Sequence, residues 1–143
     1  CMAEMYNKYQ FVADMIEDCS ETLHDCHAVY EHSFKTDEYL MNRCLTEDVK
    51  GASCFFQNIN IEELICDMMY DSPDLPKWLC TGKEPYFRIV CDMEHCGKKY
   101  LKGKAHNWQD GPIICNQVLL FLGKDTDAAG GCTRLYVLTC YPA

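Results

Sequence analysis

Near the start of the chain, apolar residues recur at Met2, Met5, Tyr9, Val12, Ile16, Cys19, Leu23, Cys26 and Tyr30. Their spacing alternates between three and four, which lines them up along one stripe of a helix. Phe11 and Met15 widen the stripe into the broader face of a core-packed helix. No glycine or proline interrupts it, the first glycine being Gly51. The pattern predicts a long amphipathic helix over residues 2–32, ~46 Å from end to end. A compact chain of this size has a radius of gyration near ~14 Å, so that rod must break, stretch the domain, or bury its stripe against a second copy. A homodimer through the N-terminal helix is therefore one expectation.

Residues 33–36 read as a turn. A second helix is predicted over about 37–47, with Leu40, Met41, Cys44 and Leu45 on one face. Asn60 followed by Glu63 is a capping arrangement that opens a third helix through Ile61, Leu64, Ile65, Cys66 and Met68. The two prolines of "DSPDLPKW" (71–78) end this helical territory. Beyond it, "YFRIVC" (86–91) and "TRLYVLTC" (133–140) have the aromatic and β-branched content of strands and could pair antiparallel. Between them, "PIICNQVLLFLG" (112–123) favours a short buried helix bounded by Pro112 and Gly123, with a central strand as the alternative.

The cysteines change this picture. Twelve stand in 143 residues, the density of a disulfide scaffold, and no Cys-x-x-Cys pair occurs to suggest a zinc or redox motif. All twelve are expected to pair: Cys1, Cys19, Cys26, Cys44, Cys54, Cys66, Cys80, Cys91, Cys96, Cys115, Cys132 and Cys140. On one helix Cys19 and Cys26 would lie ~10.5 Å apart, beyond disulfide reach, so each is expected to reach toward Cys44, Cys54 or Cys66. The expected fold is a single disulfide-rich α+β domain over residues 1–143. A long N-terminal helix packs with two or three further helices to about residue 80, and a small antiparallel β-containing part follows from about 81. The chain is read as a mature or trimmed secreted domain. Its longest unbroken apolar run, Val118–Leu122, is far short of the ~20 residues that span a bilayer, so membrane insertion is not expected.

Net charge is −9, unevenly spread: residues 1–75 carry 16 acidic against 4 basic residues, and residues 76–143 carry 6 against 9. An acidic chain argues against nucleic acid as a partner. Against this background "KKYLKGKAHNWQDG" (98–111) stands out, with four lysines in seven residues. Lys98, Lys99, Lys102 and Lys104, interleaved with Tyr100 and Trp108, form the candidate surface for an extracellular or cell-surface protein. The same lysines could instead face the acidic helices of their own molecule.

The stretch "CSETLHDCHAVYEH" (19–32) holds the remaining candidate chemistry. His24, His27 and Glu31 share a helical face, but at this charge density a solvated face is expected and no metal is assigned. "LHDC" (23–26) resembles the His-Asp-x-Cys core of secreted phospholipases A2. The resemblance implies His24 as general base, Asp25 as calcium ligand and Asp37 or Asp48 as the acid orienting the imidazole. It covers four residues, and Cys26 directly follows Asp25 where the family has one residue between. No glycine precedes it to form the family's calcium loop. No Gly-x-Ser-x-Gly, phosphate-loop, dinucleotide or His-Glu-x-x-His motif occurs, so no cofactor is called for. The expectation is a non-catalytic, disulfide-stabilised recognition module outside the cell. The alternatives are a phospholipase A2-like hydrolase using His24 and Asp25, or an apolar-ligand carrier lined by Met5, Met15, Met68 and Met69.

Overall fold

The computed structural model describes residues 2–23, 26–104, 108–126 and 133–143. The N-terminal stripe does not run as one rod. Helix α1 (Met2–Thr22) ends before a turn in which the Cys26 amide donates to the Leu23 carbonyl at 2.9 Å. Cys26 is extended (φ −71°, ψ 126°), and helix α2 (His27–His32) starts afresh after it. The break lets α2 lie against the sheet, while Val12, Met15, Ile16, Cys19 and Leu23 of the stripe are buried in the chain's own core.

Helix α3 (Asp37–Thr46) begins where Thr36 Oγ1 accepts the Tyr39 amide at 3.2 Å, with Asp37 and Glu38 in its first turn and Arg43 in its last. Helix α4 (Ile61–Asp71) is opened by Asn60, whose Oδ1 accepts the Glu63 amide at 3.1 Å. Helix α5 (Leu75–Thr81) carries Pro76 in its first turn. Its C-terminal carbonyls at Trp78 and Gly82 accept the Lys124 ammonium, which also lies 4.6 Å above the Trp78 ring.

Four strands form one antiparallel sheet in chain order: β1 (Gly51–Phe55), β2 (Tyr86–Leu101), β3 (Ile113–Thr126) and β4 (Thr133–Pro142). This corrects three expectations. The β structure is not a small C-terminal part, since β1 comes from the helical half and β2 alone has 16 residues. Residues 112–123 are not a helix: Val118, Leu120 and Leu122 alternate toward the core while Leu119 and Phe121 face the other way, the period of a strand. The segments at 86–91 and 133–140 do not pair, because β3 lies between them.

The long strand β2 is divided by a bulge. Asp92 stands opposite Gln117 and Gly97 opposite Cys115, so residues 93–96 face Asn116 alone. His95 takes the left-handed conformation there (φ 51°), and its amide donates to Asn116 Oδ1 at 2.8 Å. Beyond the bulge the sheet curls until the end of β4 meets β1. A side chain at Gly97 would collide with the Cys54 carbonyl and the Pro142 ring, so only glycine admits this approach.

The main core lies between the sheet and α1, α4 and α5, around Ile65, Met69, Leu75, Leu79, Val118, Leu120 and Leu122. A smaller cluster of Leu40, Cys44, Ala52, Cys54 and Tyr100 sits under α3. Met15, Met68 and Met69, expected to line an apolar-ligand cavity, are packed into the main core, and the Met5 side chain lies outside the described residues.

The disulfide scaffold is also corrected. Cys19, Cys26, Cys44, Cys54, Cys66, Cys80, Cys91, Cys96, Cys115 and Cys140 are all free thiols; Cys1 and Cys132 lie outside the described residues. Cys19, Cys44, Cys54, Cys96, Cys115 and Cys140 are buried and the other four partly so, and a thiol in such a place packs as a small apolar group. Several also donate weakly to backbone: Cys44 to the Tyr100 carbonyl at 3.5 Å, and Cys96 to the Gln117 carbonyl at 3.3 Å. Burial pushes Cys140 up to about 12, and Cys19 and Cys115 up to about 11. At neutral pH these groups are protonated and weak as nucleophiles.

Candidate functional site

Where α2 and α3 meet the lower sheet, formed by β1 with the adjoining ends of β2 and β4, they leave an open cleft of about 420 Å³. Arg43 of α3, Lys50 at the entry to β1 and Lys99 of β2 supply its positive charge, Glu31 of α2 its negative charge, and Tyr141 of β4 an aromatic wall. Each side chain arrives for a local reason. The α3 cap directs Arg43 along the last turn, where its Nε bonds Glu47 Oε2 at 2.7 Å and its Nη2 lies 3.6 Å from Glu31. The bond from Glu47 raises the Arg43 pKa and keeps the guanidinium charged. Lys99 pairs across to Ser53 on β1 and to Ile113 on β3, so a strand braced on both sides holds its backbone. His32 Nδ1 lies 3.3 Å from the Ser53 carbonyl, and its ring sits 5.6 Å from that of Tyr141, which in turn stacks on Phe121 at 6.2 Å.

The cleft is thus cationic in a protein of net charge −9. Low-dielectric walls focus such a local field toward an approaching anionic group. With a stacked tyrosine beside clustered cations, the chemistry offered is recognition of carboxylate-bearing surface. Among the described residues, no group of three histidine, cysteine or acidic side chains could hold a metal ion. No helix is long and apolar enough to cross a membrane, again among the described residues.

The lysine run is divided by the structure. Lys98 turns inward, 8% exposed, and its ammonium meets Asp37 Oδ1 at 2.6 Å and lies 4.8 Å above the Phe34 ring. Tyr100 is buried beneath α3 and meets Trp108 edge-on, with centroids 6.4 Å apart; Trp108 Nε1 donates to the Leu101 carbonyl. Lys102 is exposed and reaches back to the Glu47 carbonyl at 3.3 Å, and Lys104 is exposed past the end of β2. Only Lys99 and Tyr100 of the predicted surface border the cleft. His24 and Asp25 lie outside the described residues. Of the acids offered to orient His24, Asp37 is engaged by Lys98 and Asp48 is exposed. Arg43, Lys50 and Tyr141 were not singled out in the sequence. One signal was present: Arg43 and Lys50 are two of only four basic residues in the acidic first 75.

No protein-family model matches the chain, and no curated protein matches it in sequence. Among solved structures, a chain from the crystal structure of the CdiA-CT/CdiI complex from Y. kristensenii 33638 has the same fold. The TM-score is 0.66 at 20% identity, and the match spans 82% of this chain and 99% of that one. At that identity the likeness speaks for the fold alone. The free thiols overturn the reading of a cysteine-rich recognition module held by disulfide bonds: the architecture is shared with a chain of a two-protein complex, and its core is closed by packing.

Proposed function

We propose that this chain binds a single protein partner, as one member of a two-protein complex of the CdiA-CT/CdiI kind, and that the cleft between α2, α3 and the lower sheet is its contact surface. The observation that carries this reading is the concentration of Arg43, Lys50 and Lys99 beside Tyr141 in an otherwise acidic molecule. The fold shared with a chain of a solved two-protein complex supports it. Lys50 and Lys99 steer an acidic patch of the partner into place, while Tyr141, backed by Phe121, provides the anchor that slows its departure.

The test starts from affinity capture with the native chain in an extract of its source organism, and then measures binding of the recovered partner. Reversing Lys50 and Lys99 together (Lys50→Glu, Lys99→Glu) lowers the association rate about tenfold and flattens its salt dependence. Tyr141→Ala mainly raises the dissociation rate. A partner held equally well by both variants refutes the cleft as its site.

A further inference from the structure

The outer edge of β2 is covered over only part of its length. From Gly97 to Leu101 it pairs with β1, but from Tyr86 to Asp92 no described strand lies on its outer side. That stretch pairs with β3 alone, so every second residue directs its amide and carbonyl outward. The bulge after Asp92 and the end of β1 at Phe55 mark where cover stops.

The uncovered stretch runs beside a groove of about 500 Å³ between β2 and the C-terminal end of α4. Its floor is apolar, made by Leu64, Met68, Phe87 and Ile89, the last two on the inward face of β2. Its rim is acidic: Asp67, Asp71, Asp74 and Asp92, against Arg88 alone. An edge, an apolar floor and a charged rim are the three elements a strand-addition site needs. The edge supplies main-chain bonds, the floor takes alternate side chains, and the rim selects charge. The rim also decides the occupant. A second copy pairing edge to edge would bring two sets of aspartates together, which is repulsive, whereas an extended segment with lysine or arginine at alternate positions satisfies them.

We infer that Tyr86–Asp92 is a docking edge on which an extended, basic segment of a partner protein adds as a further strand. The surface is separate from the cationic cleft and stands or falls independently of it.

The probe is a synthetic peptide of alternating valine and lysine, about seven residues long to match the ~20 Å edge, titrated into the full chain. Binding is expected, with slowed amide exchange confined to Tyr86–Asp92. The same peptide N-methylated along its pairing edge keeps its charge and loses its amides; it is expected not to bind. Asp71→Lys combined with Asp74→Lys, both exposed positions, weakens binding at least tenfold, and circular dichroism confirms the retained fold. Lys99→Glu leaves peptide binding unchanged, which separates this site from the cleft. Equal binding of the N-methylated peptide, or protection spread away from Tyr86–Asp92, overturns the inference, as does no binding at all.

Discussion

The two halves of β2 belong to one strand and have opposite surroundings. From Gly97 to Leu101 it is flanked by β1 and β3 and roofed by α3, with Lys98 and Tyr100 buried at 8% and 2% exposure. From Tyr86 to Asp92 it has β3 on one side only, and Tyr86 and Val90 are about half exposed. The covered half can carry a charge inside because Asp37 and the Phe34 ring are already placed to receive it. The open half keeps an apolar inner face on the core and leaves its backbone to solvent. A bulge and a glycine between them let a single strand serve the core at one end and present an edge at the other.

Breaking the covered half is expected to have the largest effects. Gly97→Val drives a side chain into the Cys54 carbonyl and the Pro142 ring and is expected to destabilise by about 3–5 kcal/mol, read by urea unfolding. Raising pH attacks the main core through its buried thiols. Burial lifts Cys115 and Cys19 from 9.0 to about 11 and Cys140 to about 12, so the folded state holds these protons more tightly than the unfolded chain. Their stabilisation is therefore complete below pH 9 and is lost as pH climbs through 11 and 12. Tm should fall over that window, and Cys140→Ala should make the fall shallower.

Removing the inward charge comes next. Lys98→Ala leaves Asp37 without its cationic partner and opens space beside Tyr100, and is expected to cost about 2 kcal/mol in urea unfolding. The smallest effect belongs to the open half: Val90→Thr, at a half-exposed position, should change stability by no more than about 0.5 kcal/mol. A large loss there would mean that the open edge is structural after all.

The legible parts of the fold were those set by local chemistry. Asn60 with Glu63 announced α4, and the inward positions Leu40 and Cys44 announced α3. The end of α1 was hidden, because its apolar spacing continues through Leu23 to Tyr30 while the packing of α2 on β4 is recorded by no local pattern. β3 was misread because a strand buried in the middle of a sheet looks like any continuous apolar run, and Pro112 and Gly123 bound a strand as well as a helix. The cysteines were misread because their number suggested covalent bridges, while the structure uses them as core side chains. The cleft was half visible. Lys99 stood in a conspicuous run, but Arg43 and Lys50 reach it through pairing and helix docking that no local pattern records.

Amide hydrogen exchange on the free protein tests the division of β2 most directly. Every described amide of Gly97–Leu101 should exchange only with global unfolding, while alternate amides within Tyr86–Asp92 exchange orders of magnitude faster. Uniform protection along the whole strand would contradict it.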